Sequence, residues 1–243
     1  MDKNKPCFSD IHIHMLSGVD DGAKTETESQ DMLDMAYRDG TRVFCLTPHF
    51  HPGFFGDNRA ASEKAFDSLS SYAREKYPDA KLLLGNELRY SPNCVEWLNQ
   101  GHCRTMNNTR FALVDFSESV ERTVVTDAVY RLLNAGYTPI LAHVERYGSL
   151  HKDFREIRQY KECGAVIQID GPSIFGEWGF QARQRSRRLL EARLVDLVCS
   201  DAHGTTRRVP QLSASYEYVL QHCGESYAEA VCSSNALKIL ETE

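Results

Sequence analysis

No apolar run in these 243 residues approaches the ~18–20 needed to span a bilayer, which excludes a membrane-spanning helix. The opening stretch, MDKNKPCFSDIHIHML, has no apolar core of signal-peptide length, so the cytoplasm is the expected compartment. Eight cysteines form no C-x-x-C pair, and several lie in apolar runs such as VFCLT and DLVCSD; buried, reduced thiols are expected. Six residues separate Cys103 from Arg110, so no C-x5-R loop exists and a cysteine-dependent phosphatase is excluded. G-x-S-x-G, G-x-G-x-x-G and G-x-x-x-x-G-K-[ST] are missing as well, as is any internal repeat or low-complexity tract. Basic residues are outnumbered, 28 Lys and Arg against 34 Asp and Glu, for a formal charge of −6. That balance argues against a nucleic-acid binder relying on phosphate neutralisation.

What is present has the composition of an ordinary soluble protein, 42% hydrophobic and 26% charged. A chain of 27.6 kDa buries roughly 70–75% of its unfolded surface, enough for one core, and residues 1–243 read as a single domain. Short β-rich runs alternate with longer amphipathic segments. Strands are expected at 7–12, 42–47, 81–87, 111–116, 138–143, 165–169 and 195–200. Helices are expected at 25–39, 58–77, 122–135, 151–163 and 180–192, then at 209–223, 225–232 and 234–241. Glycines follow several helices, as at Gly40, Gly136 and Gly164. This β-α alternation implies a parallel sheet covered by helices, as one closed or nearly closed α/β barrel or, in competition, an open doubly wound sheet.

The informative feature is where metal-ligand residue types fall. His12 and His14 end the first strand and His49 follows the second. Glu87 ends the third, Asp115 the fourth and His143 the fifth, and Asp201 and His203 follow the seventh. In a parallel barrel the C-terminal strand ends share one face, where active sites lie. Packing would put apolar or small polar residues there. Side chains i and i+2 of a strand point to one side, so His12 and His14 can grip one ion together. The glycine-containing run GVDDGAK is expected to deliver Asp21, with Asp20 the alternative. Nine candidates exceed the three or four ligands of one zinc, so two or three divalent ions are expected. Imidazole and carboxylate without cysteine favour manganese, iron or zinc.

Paired ions clamp both oxygens of an in-line displacement and activate water, which suits phosphoryl transfer with a metal-bound hydroxide as nucleophile. Arg146, three residues after His143, and Arg208, five after His203, are placed to fork onto phosphate oxygens. The loop 50–59 holds three phenylalanines. For Phe54, Phe55, Phe175 and Trp178 two readings stand open: they line the approach of a flat substrate, or they simply pack onto the fold.

DIHIHMLSGVDDGAKTETES, TPHFH, GNEL, LAHVERY and SDAHGTTRRVP, in this order, resemble the polymerase-and-histidinol-phosphatase (PHP) superfamily. More narrowly, they resemble its manganese-dependent CpsB/CapC-type protein-tyrosine phosphatases of capsule and exopolysaccharide synthesis. The resemblance implies a distorted (β/α)7 barrel with a trinuclear centre, with manganese as the implied metal, at the C-terminal strand ends. It implies ligands at His12, His14, Asp21, His49, Glu87, His143, Asp201 and His203, and phosphate contacts from Arg146 and Arg208. The implied substrate is phosphotyrosine on a cognate bacterial tyrosine kinase, with no nucleic acid and no membrane insertion; a homo-oligomer is an open alternative. Asp115 stands where the family has Glu, Phe50 intervenes before His51, and Asp170 replaces a usual Asn. The competing enzyme is a small-molecule phosphoesterase such as a histidinol-phosphate phosphatase; the competing non-enzyme is a metal-loaded kinase-binding scaffold.

Overall fold

A computed structural model describes residues 6–241. The elements are β1 (Phe8–Ile13), α1 (Glu26–Asp39), β2 (Thr41–Leu46), β3 (His49–Phe50), α2 (Pro52–Phe55), α3 (Arg59–Lys76), β4 (Lys81–Leu84) and β5 (Glu87–Arg89). They continue through α4 (Cys94–Asn99), β6 (Phe111–Asp115), α5 (Arg122–Asn134), β7 (Thr138–Leu141), α6 (Arg155–Glu162), β8 (Val166–Asp170), α7 (Gly179–Glu191) and β9 (Leu197–Cys199). The chain closes with α8 (Ser213–Cys223), α9 (Glu225–Glu229) and α10 (Asn235–Glu241).

The fold is α/β with a curled parallel sheet. β2 pairs with β1 and β4, β5 pairs with β3 and β6, and β6 through β9 follow in sequence order, all parallel. A parallel bridge between Ile13 and Ala202 brings the region after β9 to the end of β1. The expected second strand is β2, with the short β3 added beyond Pro48, and the expected third strand is broken between β4 and β5. Pro48 has no N–H to donate, and Gly85 sits where a Cβ would meet Met106 Sδ at 3.1 Å and Cys45 Sγ at 3.3 Å. Asn86 repairs the gap: its Nδ2 donates to the Pro48 carbonyl at 2.9 Å and its Oδ1 accepts from Arg104 N–H at 2.9 Å.

The helices bury the faces their spacing predicts. In α5, Val125, Ala128, Val129 and Leu132 recur at helical period and are buried. In α1, Thr25 caps the first turn by accepting from the Glu28 N–H at 3.1 Å. The helix expected from residue 151 begins only at Arg155, because Phe154 takes the left-handed conformation at φ 57°. The two helices expected at 225–232 and 234–241 are α9 and α10, joined by a π-helical turn over Ala230–Ser234. The loop 50–59 contains the single turn α2. Six of the eight thiols are buried as expected, but Cys7 and Cys163 are exposed.

Candidate metal centre

The nine sequence candidates converge at the C-terminal end of the sheet. His12 lies in β1 with His14 just beyond it, His49 opens β3, Glu87 opens β5 and Asp115 closes β6. His143 follows β7, Asp201 and His203 follow β9, and Asp21 comes from the loop between β1 and α1. Four overlapping sets each bring one donor atom per residue within 4.8 Å of one another: His14–Asp21–His49–His203, His12–His14–Glu87, His12–His143–Asp201 and Glu87–Asp115–His143. His12 is fully buried and Glu87 is 1% exposed, a depth at which imidazole and carboxylate need strong partners.

In four of the five rings one nitrogen has a partner outside the donor set or on the backbone, and that selects the tautomer; His49 instead turns Nδ1 to Glu87 at 2.9 Å and Nε2 to Asp21 at 3.4 Å. His12 Nδ1–H donates to Gln168 Oε1 at 3.2 Å, and the same oxygen accepts the His143 N–H at 2.7 Å. Gln168 Nε2 donates in turn to Asp170 Oδ1 at 3.0 Å, which fixes the amide's orientation. His14 Nδ1–H donates to Asp20 Oδ2 at 2.8 Å, and His203 Nδ1–H to the Asp201 carbonyl at 2.9 Å. His143 Nδ1–H donates to the Tyr147 hydroxyl at 3.1 Å, which also accepts the Phe116 N–H at 3.1 Å and donates to Asp115 Oδ1 at 3.3 Å. Nε2 of His12, His14, His143 and His203 is thereby left facing the cluster.

The near atoms test whether divalent ions fit. Nε2 of His12, His14 and His203 and Oε2 of Glu87 are buried and make no hydrogen bond. Yet His12 Nε2 lies 3.2 Å from Glu87 Oε1 and 3.3 Å from Asp201 Oδ1, and His14 Nε2 lies 3.1 Å from Glu87 Oε2. These atoms face shared points rather than one another, and all are nitrogen or oxygen donors. The residues fit borderline or hard divalent cations.

Electrostatics agree. Burial opposes charge on His12, but Glu87 and Asp201 outweigh it and lift the imidazole to about 10. Burial likewise opposes charge on Glu87 and Asp201, yet the neighbouring His12 holds both well below the usual carboxylate range, helped by His49 at Glu87 and by Arg146 and Arg208 at Asp201. The carboxylates thus demand positive charge, from protons on the imidazoles or from divalent cations. Ligand imidazole must be neutral, so the two compete.

Arg146 and Arg208 meet at the same acceptor: each Nη2 donates to Asp201 Oδ2 at 2.6 Å, and Arg146 also pairs with Asp170. Their guanidinium carbons lie 3.6 and 5.0 Å from the Trp178 ring centre. Nε of both arginines is buried without a hydrogen-bond partner. With Glu87, Asp115 and His143, the two line a cavity of about 550 Å³. His143, Asp201 and Arg208 all have positive φ, 34°, 50° and 49°, a strained backbone of the kind that collects at functional sites.

Of the four aromatics left between approach and packing, Trp178 stacks on Arg146 and Phe55 stacks on His49 at 5.4 Å between centroids. Phe54 packs on His51 and Phe55, while Phe175 lies edge-on to Tyr218 of α8. Sequence reasoning missed Gln168, Tyr147 and Arg89. Arg89, whose Nη1 donates to Asp115 Oδ2 at 2.7 Å, was visible as a cation at a strand end. Asp20 proves to orient His14 while Asp21 faces His49 and His203, at 3.4 and 3.3 Å.

The sequence profile of the family described as "Capsular polysaccharide synthesis, CpsB/CapC" matches residues 8–241. The chain belongs to the CpsB/CapC family. Tyrosine-protein phosphatase CpsB of Streptococcus agalactiae serotype III (strain NEM316) is 32% identical to this CpsB/CapC chain over 237 residues, 96% of the chain and 98% of the relative. Tyrosine-protein phosphatase YwqE of Bacillus subtilis (strain 168) is 32% identical over 199 residues, covering 82% and 78%. The fold matches a chain from the crystal structures of Bacillus subtilis YwqE and Streptococcus pneumoniae CpsB, described as unique metal-dependent tyrosine phosphatases. The TM-score is 0.87 at 29% identity, over 96% of this chain and 94% of that one.

Proposed function

We propose that this CpsB/CapC chain is a metal-dependent protein-tyrosine phosphatase. One observation carries the reading: Arg146 and Arg208, anchored on one Asp201 oxygen, keep buried, unpartnered Nε donors beside nine convergent metal-type ligands. His12, His14, Asp21, His49, Glu87, Asp115, His143, Asp201 and His203 would hold two or three ions, manganese first, with iron or zinc accepted by the same donors. Bound cations would supply Lewis acidity, lowering the pKa of water and neutralising phosphate oxygens. The chain's own residues do the rest. Arg146 and Arg208 fork onto the phosphoryl group, and Trp178 keeps their planes from swinging away. The tyrosine phenol, with a pKa near ~10, leaves as phenolate without a strong general acid.

The physiological substrate in this reading is phosphotyrosine on a cognate bacterial tyrosine kinase of capsule or exopolysaccharide synthesis, in the cytoplasm. Eight free thiols are consistent with a reducing compartment. Among the described residues no helix is long and apolar enough to cross a membrane. We read the fold as a distorted (β/α)7 barrel of PHP type in one domain over residues 1–243, supported by the strand order and the Ile13–Ala202 bridge. All nine candidate donors come from one chain, which supports a centre built within a single copy.

The test compares metal-loaded, chelator-treated and His143→Ala protein on a phosphotyrosine peptide and on histidinol phosphate. Peptide hydrolysis should depend on added metal and vanish in His143→Ala. Full activity after exhaustive chelation, or turnover confined to histidinol phosphate, refutes the proposal.

A further inference from the structure

Beside the main cavity lies a second of about 250 Å³, lined by Glu118, Arg146, Trp178, Gln181 and Arg185 among others. The two share Glu118 and Arg146, so they adjoin there. Arg185, from α7, is the notable group in it. Its Nη1 donates to the Glu145 carbonyl at 3.3 Å and its Nη2 to Gln181 Oε1 at 2.8 Å. A guanidinium has five N–H donors, so about three stay uncommitted. Both phosphate-site arginines have carboxylate partners; among the described residues Arg185 has none within ion-pair distance.

Its surroundings reinforce the charge. α7 reads GFQARQRSRRLLE, four arginines against Glu191, in a chain whose net charge is −6. Arg187 donates to the Ile174 carbonyl and Arg188 lies over Phe154, so neither is neutralised by those contacts. The one acid in the lining, Glu118, is exposed to solvent, where its repulsion is screened. A half-buried guanidinium without a counterion, lining a cavity that it shares with Arg146, calls for an anion on the ligand.

We propose that this cavity is a second anion subsite, which takes the carboxylate of an Asp or Glu within about three residues of the phosphotyrosine. An extended peptide advances ~3.3–3.6 Å per residue, so such a neighbour spans adjoining cavities. The inference rests on the tyrosine-phosphatase reading and adds a sequence preference to it.

The experiment measures kcat/KM of the manganese-loaded enzyme on phosphotyrosine peptides in an alanine background. Glu is scanned through three positions on each side at low ionic strength, and Lys replaces it in a parallel set. In the wild type, one or more Glu positions should raise kcat/KM about tenfold over the alanine peptide, the size of a charge-assisted hydrogen bond. The ratio should fall to near one in Arg185→Gln and reverse in favour of Lys in Arg185→Glu. Because each ratio is taken within one variant, a general loss of activity cancels. Hydrolysis of every peptide with ratios within twofold, or a Glu preference surviving in Arg185→Glu, overturns the subsite alone. No turnover of any phosphotyrosine peptide overturns the subsite together with the reading beneath it.

Discussion

Replacing Tyr147 by Phe removes one oxygen and leaves the ring, so no cavity forms and the effect belongs to the hydroxyl. Three groups lose a partner: the buried Phe116 N–H, His143 Nδ1 and Asp115 Oδ1. An unpaired buried N–H costs about 1–3 kcal/mol. Asp115 keeps Arg89, so its carboxylate is not abandoned. His143 keeps nothing on Nδ1, and the tautomer that exposes Nε2 to Glu87 and Asp115 loses its support. Losing such an outer partner typically weakens metal affinity 10–100-fold. Urea unfolding of chelator-treated protein should therefore show a deficit of about 2 kcal/mol. Calorimetric titration with Mn²⁺ should show at least one site weakened tenfold or more. Tyr160→Phe is the control, since its hydroxyl meets only Thr126 Oγ1 at 2.7 Å, remote from the ligands. Equal loss of metal affinity in both variants, or a destabilised Tyr147→Phe with unchanged affinity, would refute the assignment of Tyr147 to the His143 tautomer.

Two further outcomes follow from the same geometry. His151 is buried with Nε2–H donating to the Val144 carbonyl at 2.7 Å, and burial pulls its pKa down to about 4. Its folded pKa lies below the unfolded ~6.5, so its contribution is complete above 6.5, declines as pH falls toward 4 and is flat below; the full span is about 3 kcal/mol. Denaturation of wild type and His151→Gln between pH 4 and 8 should give a difference that follows this window, and a pH-independent difference would contradict it. Gly22 lies against His14, where a Cβ would sit 2.0 Å from the carbonyl oxygen. Gly22→Ala must push the Asp20–Asp21 loop outward, lowering thermal stability and weakening metal binding by the His14–Asp21–His49–His203 set. Wild-type melting and stoichiometry would disprove that contact's role.

Much of this was legible in the chain. The alternation of β-rich runs with helices gave the α/β class, and α5 shows its buried face in plain i, i+3, i+4 spacing. The donors were legible because strand ends are short, apolar contexts in which His12, Glu87 or Asp201 stand out. The break in the third strand was not, since the atoms that a Cβ at Gly85 would crowd belong to Met106 and Cys45, distant in sequence. For Phe175 the chain left approach and packing both open, because its ring partner, Tyr218 of α8, is distant in sequence.

The sequence by itself determined the donor chemistry, five imidazoles and four carboxylates in strand order, together with two arginines near them. Those identities are local, and parallel strands carry their C-terminal ends to one face whatever the details. Only the tertiary structure decided which nitrogen of His12, His14, His143 and His203 faces inward, and that Asp20 orients while Asp21 faces the cluster. The physical reason is the directionality of hydrogen bonds. Gln168, 156 residues from His12, must arrive at 3.2 Å before the His12 tautomer is set, and no pattern along the chain encodes that meeting.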